Sequence, residues 1–475
     1  MKRVVVVGGG ISGLVTAYRL TRTQNGDEPP EVIVVERSGR VGGKIHTIDL
    51  LGFPAEAGAD SFVVRKPWAV DLCRELGLGG ELVRPGAEGA HVWTRARLVP
   101  FPDRTAFGIP STVRALLAWQ GLSPGARLRA LADVYRKPSS GDEDQSLGSL
   151  IRRRLGPEAL RVLVGPLLAG IHAGDPDRLS LLATFPELRA WERGHESLVR
   201  GARAALKAAP SAGGEPLFAS VWDGLSGLVQ VLEEAIGTDR VWLGTPATHV
   251  GASPSGLEVL AGERPLQADA VVVTAPAGEA AAVLGSVNPS VAAELGTIPY
   301  VSTAVVFLVY PHGTVPEGTG FVAPLGERTI TACTWLSSKW PRPEHAGRLV
   351  MRCFVGKAGA EEALSLSDEA LATVVAGEIR EALSPQADPE LTKVVRWPRA
   401  MPQYEVGHLD RMRRIEEALS ATPGLFLTGS AYRGVGIADC VRQANETAQR
   451  VLVYLRERKE PSVEKDRRET ISWKT

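Results

Sequence analysis

The sequence predicts a chain of mixed class, an α/β domain joined to an α+β domain and a helical domain. Three observations predict it. A β-branched run, VVVV at 4–7, passes through glycines into a stretch with helical spacing at Leu14, Ala17, Tyr18 and Leu20, the pattern of a buried parallel strand, a tight turn and a helix. Two runs of similar character, ADAVVVTA at 268–275 and GLFLTG at 424–429, lie far downstream, so the first domain is discontinuous. Between these, helical stripes behind cap residues give way to longer apolar strands.

Composition narrows the function classes. With 475 residues, 44% of them hydrophobic, the chain has enough apolar material for two or three subdomains. Lys plus Arg and Asp plus Glu both total 54, so no overall field favours nucleic acid or an anionic membrane. Cys73, Cys333, Cys353 and Cys440 form no Cys-x-x-Cys pair, which speaks against zinc or a disulfide framework and for a reducing cytosol. His46, His172, His195 and His408 show no metal-ligand spacing, and no metal is expected. Three glycines and Arg19 interrupt the opening run, which is not read as a leader. No apolar segment reaches the roughly twenty residues of a membrane helix. The tail after Leu455 is almost wholly polar and is expected to fray.

In chain order, Gly8, Gly10 and Gly13 stand in Gly-x-Gly-x-x-Gly between the first strand and helix. The first permits the bend, the second lets backbone approach a pyrophosphate, and the third lets helix and strand pack closely. The helix N-terminus, through Gly9, Ile11 and Ser12, then offers free N–H groups to phosphate. A second strand, EVIVVE, ends in Glu36, the acid expected on the ribose hydroxyls. These elements predict a Rossmann-like dinucleotide domain. Directly after them, RSGRVGGKIHT brings Arg37, Arg40, Gly42, Gly43 and Lys44, which by themselves also read as a flexible loop with solvated charges.

The middle of the chain reads as two further bodies. Ser111 before TVRALLAW, Ser123 and Pro124 before ARLRALADVY, and Ser146 before LGSLIRRRL occupy helix-cap or first-turn positions. The run of Arg152, Arg153 and Arg154 is expected on a solvated surface. The strands VSTAVVFLVY, RLVMRCFV and LTKVVRW, with the helix SDEALATVVAGEIREAL, predict a mixed-sheet domain. Residues 1–65, 215–297 and 424–458 are assigned to the dinucleotide domain, 66–104 and 298–423 to the mixed-sheet substrate domain, 105–214 to the helical domain and 459–475 to a polar tail. Near the end of the chain a helix is expected to start at Gly436, in SAYRGVGIADC, with Val435 and Ile437 beside it.

The segment with Arg40, Gly42, Gly43, Lys44 and Thr47 resembles the second FAD motif of the flavin amine oxidase superfamily, which implies that the glycine pair lies along the cofactor's pyrophosphate and ribityl chain with nearby cations to offset phosphate charge. LLAGIHAGDPDRLSLLATFPEL at 167–188, RWPRAMPQYEVGHLDR at 396–411 and TGSAYRGVGIADCVRQA at 428–444 resemble, more narrowly, the protoporphyrinogen and coproporphyrinogen oxidases of haem biosynthesis. The likeness runs from Lys2 to about Leu455. It implies non-covalent FAD, with Gly8 to Gly13 on the pyrophosphate and Glu36 on ribose. It places Gly58, Ala59, Asp60 and Ser61 along the isoalloxazine and ribityl chain, and Val250 at the adenine end by its backbone. Trp397 would stand near the flavin, and Val435, Gly436 and Ile437 at its pyrimidine edge. Taken alone, Trp397 and Val250 read as core.

For the substrate, the DSFxxRK arrangement resembles that of coproporphyrinogen-oxidising members. It implies Arg65 and Lys66 on propionates and Gly170 against the macrocycle, although by themselves these charges also read as a solvated loop. The implied reaction is oxidation of coproporphyrinogen III to coproporphyrin III, with flavin N5 as hydride acceptor, dioxygen as oxidant and no catalytic side chain assigned. A cytoplasmic protein with at most peripheral membrane contact is implied, with other haem-pathway enzymes as further partners. Three alternatives stay open: a protoporphyrinogen IX oxidase, an amine oxidase or carotenoid-type desaturase, and a non-catalytic protein that keeps the scaffold.

Overall fold

The strand Arg3–Val7 sits at the centre of five parallel strands, in the order Val241–Trp242, Glu31–Val35, Arg3–Val7, Ala270–Val273 and Leu425–Leu427. The computed structural model describes residues 1–22, 28–208, 216–254 and 256–458; the tail at 459–475 lies outside them. Side chains alternate across a strand, so Val4 and Val6 enter one core with the helices Ile11–Thr21, Leu225–Ile236 and Ile437–Glu457. Val5 and Val7 enter another, with the antiparallel strands Ala247–Ser253, Gly256–Ala261 and Arg264–Ala268. Burial on both faces explains why the run is uniformly β-branched. Because the strands are parallel, the turns that follow Val7, Val273 and Leu427 leave the sheet at the same edge.

A second sheet has seven strands, ordered Leu391–Pro402, Tyr300–Tyr310, Leu349–Val355, Ile330–Trp335, Gly320–Val322, His91–Thr94 and Arg97–Pro100. It is mixed: Gly320–Val322 runs parallel to His91–Thr94 and the other pairs are antiparallel. The helix Asp368–Leu383, capped by Ser367 Oγ, covers one face. The other face carries Val305, Phe307, Val309 and Val350 onto Phe53, Ala55 and Ala57, the strand that leads to Gly58. This contact fixes the second sheet against the glycine-rich segments. Cys333 and Cys353, remote in sequence, meet on adjacent strands with sulfurs 3.6 Å apart.

The third body is helical. Ser123 and Ser146 cap their helices as expected, but the cap of Val113–Ala118 is Thr112, one residue after Ser111, through Oγ1 and Ala115 N. The arginine run also departs from expectation. Arg152 is exposed and pairs with Asp177, whereas Arg154 is fully buried. Its guanidinium donates to Asp133 Oδ1 at 2.6 Å and to the Asp133 and Glu196 carbonyls. Asp133 in turn accepts from Ser197 Oγ and from Leu198 N and Val199 N. Three consecutive helical residues point in different directions, and only the third meets this pocket. Arg154→Ala would leave Asp133 as a buried, uncompensated charge, and is expected to cost about 3–5 kcal/mol in chemical denaturation.

Candidate functional site

The first turn is set by backbone proximity. Gly8 has φ +110°, and a Cβ at Gly13 would lie 1.9 Å from Gly8 O. A Cβ at Gly10 would meet nothing within 4 Å, so the turn is open there. The helix Ile11–Thr21 begins after Gly10 without a capping side chain, leaving its first N–H groups available. Glu36 closes the turn from the second strand. Its Oε2 accepts from Gly9 N at 2.7 Å, and its Oε1 accepts from Ser38 N and Oγ at 2.8 and 2.7 Å. A carboxylate has about four acceptor positions, so capacity remains on Oε2. Arg37, one residue on, is exposed and pairs with Glu279.

The second glycine segment is built onto the first. Gly42 N donates to Gly9 O at 2.8 Å. A Cβ at Gly42, where φ is +100°, would lie 2.8 Å from Ile45 O, and one at Gly43 would lie 3.3 Å from Gly10 Cα. Arg40 donates to the carbonyls of Val41, Gly43 and Ile45, so it shapes this loop. Lys44 reaches inward, with Nζ 2.9 Å from Ala400 O and 2.8 Å from Ser430 Oγ. Burial pushes its ammonium below the ordinary lysine value. Among the described residues no carboxylate pairs with it, a cation suited to an anionic ligand.

Next along the chain, a Cβ at Gly58 would lie 1.8 Å from Lys44 O and 3.3 Å from Trp397 Cζ2. Trp397 is held there by its indole N–H on Ala57 O at 2.8 Å. Ala59 N donates to Lys44 O at 3.2 Å. Asp60 pairs with Lys339 at 2.7 Å and Arg352 at 3.5 Å and accepts from Ser61 Oγ. Burial alone would raise this carboxyl, but the two cations hold it below the usual range. Arg352 also donates to Gly58 O. Glu56, two residues earlier, accepts from Leu225 N and Thr47 Oγ1. Its Oε2 has no partner among the described residues, and burial raises the carboxyl to about 7.

The last turn arrives at the same place. A Cβ at Gly429 would lie 3.5 Å from Thr274 O and 3.8 Å from Ser12 Oγ. The Tyr404 hydroxyl donates to Ser430 O at 2.7 Å and accepts from Gly434 N at 2.9 Å. Tyr404 stacks on His408 at 4.1 Å and lies 5.6 Å from His172; burial lowers both imidazoles to about 4, so they are neutral. The helix Ile437–Glu457 begins after Gly436 without a capping side chain, and Val435 is half-buried before it. Asp439 in its first turn is bound by Lys66 at 2.7 Å.

The structure therefore brings together Gly8 to Gly13, Glu36, Arg40 to Lys44, Gly58 to Ser61, Trp397 and Val435 to Ile437. Lys66 joins this assembly through Asp439, while Arg65 is exposed and pairs with no described residue. Gly170 is exposed on the helix Gly165–His172, with open space where a Cβ would stand. Val250 stands apart: its side chain is buried among Val5, Val7, Ile33 and Val35 behind the sheet, leaving only its backbone to meet a ligand. Arg352, Lys339, Glu56 and Tyr404 were not singled out in the sequence. Tyr404 lies inside the PQYEVGH segment, and that was the one signal available.

Residues 11–452 match the family model of flavin-containing amine oxidoreductases. The coproporphyrinogen III oxidase of Bacillus subtilis (strain 168) is 38% identical over 469 residues, covering 96% of this chain and 98% of that protein. The chain belongs to this family, on its porphyrinogen-oxidase branch. The coproporphyrinogen III oxidase of Staphylococcus aureus (strain NCTC 8325 / PS 47) is 32% identical over 96% of the chain and 100% of its own length. A solved structure from Exiguobacterium sp. 255-15 that carries a provisional protoporphyrinogen oxidase assignment superposes with a TM-score of 0.84 at 32% identity, over 96% of this chain and 99% of that one.

The cofactor of this family is a flavin, and the residues present fit one. Two helix N-termini lack capping side chains. The turn before the first of them is open at Gly10, where a Cβ would meet nothing within 4 Å, and Lys44 supplies a desolvated positive charge that no carboxylate among the described residues pairs with. Among the described residues no helix is long and apolar enough to cross a membrane. Gly58→Ala would force Lys44 O away from its present position, since 1.8 Å is far inside contact distance. The expected outcome is a folded protein, as read by circular dichroism, that loses its bound flavin on gel filtration.

Proposed function

We propose that the protein oxidises coproporphyrinogen III to coproporphyrin III with non-covalently held FAD and dioxygen as the acceptor, in the cytoplasm. The observation that carries the substrate choice is the 38% identity to a coproporphyrinogen III oxidase over 96% of the chain. A flavin held by these residues would supply a two-electron acceptor: each round would take a hydride from a bridge carbon while a ring N–H gives up a proton, and dioxygen would take the electron pair as peroxide, so a six-electron aromatisation needs three rounds.

The chain's own residues hold and orient. Gly8 to Gly13 and the two uncapped helix ends present N–H groups to the pyrophosphate and the pyrimidine edge. Glu36 Oε2 keeps an acceptor position for a ribose hydroxyl. Gly58 to Ser61 and Trp397 form a wall that Arg352 and Lys339 tie to the second sheet. Cys440 is buried within the last helix, with its thiol toward the Gly434 carbonyl, which supports non-covalent attachment. His172 and His408 are enclosed by Tyr404 and serve no proton transfer in this reading. Arg65 faces solvent as an unpaired cation for a propionate. Lys66, next to Arg65, shares its charge with Asp439 and so also orients the last turn.

Anaerobic mixing with each porphyrinogen tests the reading. Coproporphyrinogen III is expected to bleach the flavin faster than protoporphyrinogen IX, and Arg65→Ala to slow the tetracarboxylate more than the dicarboxylate. Faster bleaching by protoporphyrinogen IX would move the assignment to that substrate, and no bleaching by either would reject a porphyrinogen oxidase.

A further inference from the structure

The strand Leu349–Val355 ends in a tight reversal at Gly356, where φ is +89° and a Cβ would lie 2.8 Å from Ser302 O. The loop closes by Ala360 N on Lys357 O at 2.9 Å. One residue past Lys357, Ala358 N donates to Ala173 O at 2.8 Å, and Ala173 N donates to Gly170 O at 3.2 Å. Two backbone hydrogen bonds thus tether the Lys357 loop to Gly170, where the helix Gly165–His172 faces open space.

Lys357 is half-buried, and among the described residues no carboxylate lies within ion-pair distance of it. Burial lowers its ammonium below the ordinary value, and Asp175 is the acid that opposes this; Asp175 Oδ1 already accepts from Asp177 N at 2.9 Å. Arg178, three residues past Asp175 in the chain, pairs instead with Glu405, and Lys66 and Lys339 pair with Asp439 and Asp60. A partly desolvated charge without a partner is a cost that an incoming anion offsets.

We propose that Lys357 binds a carboxylate arm of the substrate beside Gly170. The proposal rests on the porphyrinogen reading above. It adds a specificity-determining residue: a substrate with more carboxylates engages Lys357 in addition to Arg65, whereas one with fewer leaves a cation unsatisfied.

Fluorescence-quenching titrations with coproporphyrin III and its tetramethyl ester as probes separate the role of Lys357 from the porphyrinogen reading. Lys357→Gln is expected to weaken the free acid about tenfold while leaving the ester unchanged, and Lys357→Arg to restore most of the loss. Steady-state kinetics should show the change in KM rather than kcat. Equal affinity of wild type and Lys357→Gln for the free acid would overturn the role of Lys357 and leave the porphyrinogen reading intact. A parallel loss for acid and ester would mark a structural effect and also overturn it. A wild-type protein that binds the acid no better than the ester would overturn carboxylate recognition by Lys357, and one that binds neither porphyrin would reject the porphyrinogen reading as well.

Discussion

The contact on which the remaining structure depends is between backbones. A Cβ on Gly13 would overlap Gly8 O at 1.9 Å, and Gly42 N donates to Gly9 O at 2.8 Å. These approaches bring the first helix onto its strand and the second glycine segment onto the first. Side chains would hold both apart. Because the strands Arg3–Val7, Ala270–Val273 and Leu425–Leu427 run parallel in one sheet, the turn near Gly429 arrives at the same edge and stops 3.8 Å from Ser12 Oγ, measured from its would-be Cβ. A site assembled from both ends of the chain follows from sheet order and from missing side chains.

Charge then fixes the second sheet against this junction. Asp60, Lys339 and Arg352 are mostly buried, and Arg352 also binds Gly58 O. Buried ion pairs add little net stability, since desolvation offsets most of their attraction. Their directional hydrogen bonds nonetheless define one position for the segment Gly58 to Ser61. Lys44 does the same between Ala400 and Ser430. The apolar contact of Phe53, Ala55 and Ala57 with Phe307 and Val309 supplies the adhesion, and the charged groups supply the register.

What could be read from the sequence follows the range of the interactions. The strand, turn and helix at 3–21 are a local pattern and form as read, and the acid at 36 and the glycine pair at 42–43 stand against that turn through Gly9. The resemblance carried the last turn and Trp397 to the same place, 397 to 437 residues along the chain. The residues that escaped notice are those whose partners are remote. Arg154 looked like one member of a surface run, but its carboxylate is Asp133, held by a turn at Ser197 to Val199. Arg352 sits in an apolar strand and acquires its role from Asp60 and Gly58. Ser111 was displaced as cap by its neighbour Thr112, an offset of one residue that capping chemistry shared by Ser and Thr does not resolve.

In the proposed function the glycine junction is a seat for the pyrophosphate and ribose of a long dinucleotide. It is tested most directly by titrating deflavinated protein with FAD and with FMN, which lacks the adenylate half. The account predicts that FAD binds at least about 100-fold more tightly, a difference of roughly 2.7 kcal/mol. Equal affinities would mean that the junction of Gly9 and Gly42 holds nothing, and would contradict it.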